Sequence, residues 1–270
     1  MKISCIIPTR DRREMVLQAV QSVMTQDAGL IEVVVVDDGS SDQTAEALAS
    51  RWPAIKVIRL SGLGPGLARN AGADAASGEV LMFLDSDDIW LPHHVDALVA
   101  VLNRGFEVAY GCTRTRDEIA GNEFLVPEPG MEREGDLFSA LARWCFLLPS
   151  AVAITKAAFY KTGGFGPETL AEDWAFFLRL SARYPFGLVD GPPITQRRLH
   201  KQSICASCNA DMMLAAFIRV KKVIRETGRA KEVDIDRLQR METLINEEGE
   251  KWQTVQDWYL AAKQQGLLDK

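Results

Sequence analysis

The segment Asp85-Ser86-Asp87-Asp88 places three carboxylates within four residues, directly after an apolar run. Carboxylates this close repel one another away from water, so they need a cation or solvent beside them. Their oxygens are ligands that Mg²⁺ and Mn²⁺ prefer, and a metal bound there would keep coordination positions for the oxygens of a diphosphate. Acidic residues also cap helix N-termini, so the segment alone leaves both interpretations open.

A second carboxylate pair, Glu172 and Asp173, comes directly before a helical pattern that runs to residue 183. A carboxylate in that position can act as a general base when a substrate hydroxyl reaches it. Favourable interaction with the helix dipole is the alternative, and for the pair in isolation it is the better one.

A further carboxylate, Asp38, follows the apolar run 33–36 and precedes Gly39. At the end of a strand it can accept hydrogen bonds from the base or ribose of a nucleotide, and the glycine lets a ligand approach the backbone. The glycine-rich segment 62–72 fails the dinucleotide pattern G-x-G-x-x-G, because Leu67 and Arg69 stand where a glycine is required. A mobile loop that brings Arg69 to an anion fits this segment better.

Basic residues gather in the segment 197–201, which holds two arginines, His200 and a lysine. Such a cluster can bind phosphate groups, and His200 can also ligate a metal. The other two histidines, His93 and His94, lie early in a helical pattern, and we expect them at the surface.

Four apolar runs rich in β-branched residues supply the scaffold for these side chains: Ile3–Ile7, Ile31–Val36, Lys56–Leu60 and Val80–Leu84. Helical patterns separate the runs. Strands that are apolar throughout and alternate with helices predict an α/β domain with a Rossmann-like, mainly parallel sheet flanked by helices. Such sheets bind ligands at the carboxyl ends of their strands, where Asp38 and the aspartate-rich segment stand.

Beyond the fourth strand the sequence predicts five more segments. They are a helix over Pro92–Leu102, a strand over Glu107–Cys112, an irregular stretch over Thr113–Gly135, a helical segment over Leu137–Phe146 and a short strand over Ala151–Ile154. A loop as long as the irregular stretch is usually functional or mobile within a compact domain. We expect this one to take part in substrate selection.

From about residue 210 the alternation stops, and three amphipathic patterns predict a C-terminal helical region over 210–270. Their apolar faces are Met213, Phe217, Val220 and Ile224; Ile235, Leu238, Met241 and Ile245; and Trp252, Val255, Tyr259 and Ala262. Basic residues flank the first face, which can therefore lie on a membrane near a lipid-linked acceptor, pack on the α/β domain or form a homodimer. Balanced acids in the next helix favour packing or dimerisation.

Composition and charge narrow the class of protein. The 270 residues are 47% hydrophobic and include 31 basic and 37 acidic side chains, a net charge of −6. That balance argues against nucleic-acid binding, so an anionic substrate must be held by local groups. Five scattered cysteines indicate a reducing compartment. The sequence shows neither a signal-peptide core nor a run of about 18 apolar residues, so we expect a cytoplasmic location, with peripheral contact at the inner membrane face as the alternative.

Seven short motifs follow one another over about residues 1–205. They are Ile6-Ile7-Pro8-Thr9, Val36-Asp37-Asp38-Gly39-Ser40, Ala68-Arg69-Asn70-x-Gly72, Gly78-Glu79-x5-Asp85-Ser86-Asp87-Asp88, Gly163-Gly164-Phe165, Glu172-Asp173-Trp174 and His200-x-x-Ser203. In order and spacing they resemble family 2 of the glycosyltransferases, whose members have the GT-A fold. The resemblance implies a GT-A domain over 1–209, divided into a nucleotide-sugar half over 1–112 and an acceptor half over 113–209.

For the donor, the resemblance implies a nucleotide-diphosphate sugar, for which we expect a UDP-sugar. Pro8 and Thr9 would line the nucleotide pocket, and Asp38 would bind the base. Arg69 stands where the family's loop contacts the donor, and Asp85 would lie near the ribose or sugar.

For the reaction, the resemblance implies that Asp87 holds a divalent cation, Mn²⁺ or Mg²⁺, and that His200 contacts the metal or the diphosphate. Asp173 matches the catalytic base, which takes the proton of the acceptor hydroxyl. The family is inverting, so an α-linked donor would give a β-linked product. The expected acceptor is a saccharide or lipid-linked saccharide of bacterial surface polysaccharide or glycoconjugate synthesis. Arg10-Asp11 departs from the aromatic residue and Asn that the family often has, which affects packing at the edge of the base.

Two other interpretations stay open. A nucleotidyltransferase of related fold should carry a glycine-rich arginine loop after the first strand, which the segment 7–10 does not resemble. A scaffold that binds the sugar nucleotide without turnover is the non-enzyme alternative. The presence of Asp87, Asp173 and His200 together argues against it.

Overall fold

The computed structural model describes residues 1–26, 31–206, 208–229, 232–248 and 255–267. The first elements are β1 (Ile3–Thr9), α1 (Arg13–Met24), β2 (Glu32–Asp37), α2 (Thr44–Arg51), β3 (Lys56–Arg59), α3 (Pro65–Ala75), β4 (Val80–Phe83), β5 (Ile89–Trp90), α4 (His94–Leu102) and β6 (Val108–Tyr110). The chain continues with β7 (Thr113–Asp117), β8 (Asn122–Val126), α5 (Phe138–Leu141), β9 (Val152–Thr155), α6 (Lys156–Thr162), α7 (Glu172–Ser181), β10 (Phe186–Leu188) and β11 (Thr195–Leu199). The last helices are α8 (Ala210–Glu226), α9 (Glu232–Glu248) and α10 (Val255–Gln264).

Seven strands form the central sheet, in the order β10-β6-β9-β4-β1-β2-β3. β1 runs parallel to its neighbours β2 and β4, and it is buried along its whole length because other elements cover both faces of the sheet. β9 runs antiparallel to β4 and β6. The predicted α/β architecture with a mainly parallel sheet is confirmed, and the four predicted apolar strands are β1 to β4.

A second sheet, in the order β5-β11-β7-β8, contains strands in the stretch predicted to be irregular. That prediction is wrong for Thr113–Val126, because β7 and β8 pair antiparallel from Thr113–Val126 to Asp117–Asn122, whereas residues 127–135 hold neither a helix nor a strand. Along β7 buried threonines alternate with exposed arginines. The period is that of a strand, but the buried members are polar, so a search for apolar runs misses it.

The helix predicted over Leu137–Phe146 is much shorter, since α5 covers only Phe138–Leu141. The indole Nε1 of Trp174 donates a hydrogen bond to the backbone oxygen of Leu141 at 2.6 Å. This carbonyl is one that a longer helix would use internally. A tertiary contact therefore replaces the next turn of the helix.

His94 is fully buried, which corrects the expectation that it lies at the surface. Its ring stacks on Trp90, with centroids 4.1 Å apart, and its Nδ1 lies 3.1 Å from the backbone oxygen of Ile194. Burial lowers the pKa of His94 to about 3, so the ring stays neutral and packs as a core residue. His93 is exposed, as predicted.

The C-terminal helices pack on the α/β domain through the first apolar face that the sequence predicts. Phe217, Val220 and Ile224 are buried in the same hydrophobic cluster as the apolar residues of α7. The ring centroid of Phe217 lies 5.4 Å from that of Trp174 and 4.8 Å from that of Trp258. Of the three interpretations of this face, the structure shows packing on the domain.

The third predicted face is described only in part, because Trp252 lies outside the described residues. Within α10, Ala262 is buried and the Tyr259 hydroxyl donates a hydrogen bond to Glu128 Oε1 at 2.7 Å. Over the described ranges, no helix is both long and apolar enough to cross a membrane.

Candidate active site

The carboxyl ends of β1, β2 and β4 meet at one edge of the central sheet. Thr9 is in register with Asp37, and Ile6 is in register with Phe83. The residues that follow these strands therefore lie along the same edge, which is where open parallel sheets bind ligands.

Asp38 anchors the glycine-rich loop to the end of β2. Its Oδ1 accepts hydrogen bonds from the backbone N–H groups of Gly62 and Leu63 at 3.0 and 2.8 Å, and its Oδ2 accepts one from Gly64 at 2.7 Å. Gly62 and Gly64 have φ angles of +88° and +91°, which side chains other than glycine rarely adopt. The loop predicted to be mobile is thus held by three hydrogen bonds, and binding of the base by Asp38 stays a prediction.

Pro8 and Thr9 form the last two residues of β1 and are both buried. The Oγ1 atom of Thr9 has no hydrogen-bond partner among the described residues. Buried hydroxyls are nearly always satisfied, so this atom is a group that a bound ligand can satisfy.

Arg69 bridges two carboxylates instead of facing an open pocket. Its Nη2 lies 2.6 Å from Asp85 Oδ1, and its Nη1 lies 2.8 Å from Glu172 Oε1. The residue is only 4% exposed, and its guanidinium carbon lies 5.1 Å from the ring centroid of Phe165. The structure therefore joins the aspartate-rich segment to the acidic pair at the start of α7.

Asp87 and His200 lie together, as a shared metal site requires. His200 Nε2 is 3.1 Å from Asp87 Oδ2, and the same oxygen is 2.8 Å from Arg12 Nη1. Although burial opposes it, the hydrogen bond from His200 and the charge of Arg12 hold the pKa of Asp87 below its ordinary range. Asp87 is thus poised as an anion.

Asp88 has a different role, because it is fully enclosed. Its Oδ2 accepts a hydrogen bond from the Ser150 hydroxyl at 2.7 Å, and its Oδ1 accepts one from the backbone N–H of Arg198 at 3.2 Å. Burial, and then the charges of Asp87 and Asp85, raise the pKa of Asp88 well above its ordinary value. The third aspartate therefore braces the turn rather than offering a free ligand.

The donor set formed by Asp87 and His200 fits a divalent cation. The described ranges contain no cluster of three or more His, Cys, Asp or Glu side chains that could hold a metal. Two protein ligands leave most coordination positions to diphosphate oxygens and water. One carboxylate oxygen and one imidazole nitrogen suit Mn²⁺ better than Mg²⁺, which prefers oxygen ligands.

Asp173 stands in the first turn of α7, half-buried beside Glu172. Burial raises the pKa of Asp173, and the Arg69 guanidinium opposes this shift, while Asp85 adds to it. Burial, and then the charge of Asp173, raise the pKa of Glu172 to about 7. Arg69 therefore brings Asp85 and the acidic pair together, and the charge of Arg197 acts on both Asp85 and Asp173.

Sequence reasoning assigned no role to Arg12 or Ser150, and Arg197 entered it only as one member of the basic cluster. Ser150 lies 62 residues from its partner Asp88, and no local pattern marks it. Arg197 belongs to the predicted basic cluster, and its Nη2 donates a hydrogen bond to the Cys205 sulfur at 3.4 Å. These partners are fixed by tertiary structure alone.

Glycosyltransferases of other bacteria are among the proteins that resemble this chain. An uncharacterized glycosyltransferase of Nostoc sp. is 34% identical over 62% of this chain and 55% of its own length. The GalNAc(5)-diNAcBac-PP-undecaprenol beta-1,3-glucosyltransferase of Campylobacter jejuni is 32% identical over 50% of this chain and 45% of its own length. The chain therefore spans about half the length of these relatives.

The fold is also that of solved glycosyltransferases. The crystal structure of S. aureus TarS 1–349 in complex with UDP-GlcNAc matches with a TM-score of 0.71 at 20% identity, covering 91% of this chain and 72% of that chain. This likeness confirms the predicted GT-A fold. The model of glycosyl transferase family 2 matches residues 4–161, which is more than half of the sequence. The chain belongs to glycosyl transferase family 2.

Proposed function

We propose that this chain transfers a sugar from a nucleotide-diphosphate sugar to an acceptor hydroxyl, with inversion at the anomeric carbon. The observation that carries the proposal is the pair of contacts by which Arg69 links Asp85 to Glu172, the residue before Asp173. A donor bound at the aspartate-rich segment and an acceptor bound at Asp173 would then lie on two segments that Arg69 holds together.

The donor that we propose is a UDP-sugar. Pro8, Thr9 and Asp38 would bind the nucleotide, and Asp85 would lie near the ribose or sugar. The free Oγ1 of Thr9 supports a ligand at the end of β1, and the matching TarS structure was solved with UDP-GlcNAc.

Asp87 and His200 would hold the divalent cation, with Mn²⁺ as the better fit to their donor atoms. When bound, it would neutralise the charge that develops on the leaving nucleoside diphosphate. Arg12, which lies on the same oxygen of Asp87, would keep this carboxylate ionised and oriented.

Asp173 would act as the general base. It would take the proton of the acceptor hydroxyl while that oxygen bonds to the anomeric carbon and the bond to the diphosphate breaks. A single displacement of this kind inverts the anomeric centre. Its raised pKa brings Asp173 closer to the neutral range in which a base works well.

The acceptor that we propose is a saccharide or lipid-linked saccharide of bacterial surface polysaccharide or glycoconjugate synthesis. The name of the Campylobacter relative, which includes a polyprenol-linked saccharide, supports this class. The buried face of α8 supports attachment of the C-terminal helices to the domain rather than to a lipid surface.

A screen of nucleotide sugars with Mn²⁺ tests the proposal, first by thermal shift and then by donor hydrolysis or transfer. Asp173→Asn should retain donor binding while turnover falls by a factor on the order of 10² or more. Asp190→Asn, which makes the same change at an exposed position, is the control. Full activity of Asp173→Asn, or a wild-type chain that neither binds nor cleaves any nucleotide sugar, would refute the assignment.

A further inference from the structure

Arg69 connects the two sides of the proposed active site. Asp85, which it contacts at 2.6 Å, belongs to the segment after β4 on the donor side. Glu172, which it contacts at 2.8 Å, belongs to the first turn of α7 and precedes Asp173. One buried guanidinium therefore spans from the donor segment to the helix that carries the proposed base.

The packing around Arg69 holds α3 against the segment before α7. Asn70, the next residue, exchanges two hydrogen bonds with the backbone of Phe165, each of 2.9 Å. A Cβ atom on Gly66, one turn earlier, would lie 2.2 Å from the backbone oxygen of Gly166. No side chain fits at position 66, so the backbone of α3 lies directly against the backbone of the segment before α7.

To bind the nucleotide sugar directly, Arg69 would need an accessible N–H group. Both terminal nitrogens of Arg69 already hold carboxylates, and its Nε is buried without a hydrogen-bond partner in the described part of the chain. Because Arg69 is only 4% exposed, a phosphate would have to open this packing or displace one of the two carboxylates to reach a nitrogen of its side chain. Removing one partner of a buried ion pair is costly, because the other charge is left uncompensated.

We propose that Arg69 is a positioning residue: it holds Asp85 and Glu172, and through Glu172 it fixes the start of α7 and the orientation of Asp173, without contacting the donor. This inference rests on the proposed glycosyl transfer. It differs from the donor contact that the family resemblance implies for Arg69, and the two roles predict different kinetics.

Arg69 also balances the charge around the proposed base. The charged and titratable groups that interact electrostatically with Asp173 or Glu172 are Arg69, Asp85, Arg197, Cys145 and Cys205. Of these, Arg69 and Arg197 favour the ionised form of Asp173, and Asp85 disfavours it. Loss of Arg69 should therefore raise the pKa of Asp173, so that activity is lost at a higher pH on the acid side.

The test compares Arg69→Gln, Arg69→Lys and Glu172→Gln with the wild type. Arg104→Gln is the matched control, because Arg104 forms an ion pair with Glu134 at the surface. For each protein we would measure the dissociation constant of UDP with Mn²⁺ by calorimetry. The kcat and KM for a nucleotide sugar that the wild type uses would then be measured across pH.

In Arg69→Gln, kcat should fall on the order of 10²-fold, as expected when a reacting group is misplaced by about an ångström, and UDP affinity should fall far less than kcat, because Arg69 acts on the donor only through Asp85. The acid limb of its pH profile should move to higher pH. Arg69→Lys should recover part of kcat, because an ammonium keeps the charge but not the bidentate fork. Glu172→Gln keeps an oxygen that can accept from Arg69 and removes a neighbouring negative charge, so its acid limb should not move to higher pH.

Weaker UDP binding in Arg69→Gln with kcat unchanged would overturn this role and favour direct donor contact. A kcat equal to that of Arg104→Gln would overturn it as well. If Arg69→Gln does not fold, Glu172→Ala is measured in its place. A wild-type kcat in Glu172→Ala would also overturn the positioning role. A wild-type chain that turns over no nucleotide sugar would refute the proposed function itself, whereas weaker UDP binding with an unchanged kcat in an active Arg69→Gln enzyme would refute only the positioning role.

Discussion

Phe217 couples the C-terminal helices to the proposed active site. Its ring is fully buried between Trp174, which follows Asp173, and Trp258 of α10. Phe217→Ala removes both aromatic contacts and leaves a cavity in the core. We expect the free energy of unfolding to fall by about 3–5 kcal/mol, the usual cost of truncating a buried phenylalanine, with the two ring pairs placing it towards the upper end.

Ile218 offers a control from the next position on the same helix. Its side chain is 53% exposed, so Ile218→Ala should change the free energy of unfolding by no more than about 0.5 kcal/mol. Urea denaturation measures both variants, and the effect of Phe217→Ala should appear as a lower midpoint with an unchanged slope. Because Trp174 adjoins Asp173, Phe217→Ala should also lower kcat more than Ile218→Ala does.

Equal stability of the two variants would refute the packing of α8 on α7. It would mean that the apolar face of α8 is not in the core, and the membrane and dimer interpretations of this face would regain support. A large loss for Ile218→Ala would point the same way, since it would show that the helix presents its other face to the protein.

Metal binding and proton binding give two further predictions. His200→Ala removes one of the two proposed ligands, so the dissociation constant of Mn²⁺ in the presence of UDP should rise about tenfold, or ~1.4 kcal/mol, by calorimetry, and an unchanged value would exclude His200 as a ligand. Burial, and then Asp173, raise the pKa of Glu172 from 4.5 to about 7, so between these values the folded chain binds more protons than the unfolded chain. The free energy of unfolding should therefore decrease as pH rises through this window, by at most ~1.4 kcal/mol per pH unit, and Glu172→Gln should weaken that dependence in urea denaturation at two pH values.

The central sheet could be predicted because its first strands are apolar along their whole length. The run Ile3–Ile7 predicts β1, and in the structure this strand is two residues longer and ends at Thr9. The second sheet could not be predicted in the same way. β7 and β11 consist largely of threonine, arginine and glutamine, whose burial comes from pairing with other strands rather than from their own hydrophobicity.

The candidate site shows the same division. Asp87 and His200 could be predicted as a pair from the family motifs, and the structure places them 3.1 Å apart. The partners that set their electrostatics could not, because Arg12 approaches Asp87 from the loop before α1. The role of Arg69 also depends on tertiary structure, since 103 residues separate it from Glu172.

The antiparallel pairing of β5 with β11 fixes the register between the two segments that carry the proposed metal ligands. Thr195 pairs with Trp90 and Gln196 with Ile89, and counting onward places Arg198 opposite Asp87, two residues before His200, whose Nε2 lies 3.1 Å from Asp87 Oδ2. A one-residue deletion within β11 would shift His200 by about 3.4 Å and turn each side chain to the opposite face. Insertions in the turn before β11 would leave that count unchanged. Natural or engineered variants of this chain can therefore vary in length before β11 but not between Asp87 and Trp90 or between Thr195 and His200.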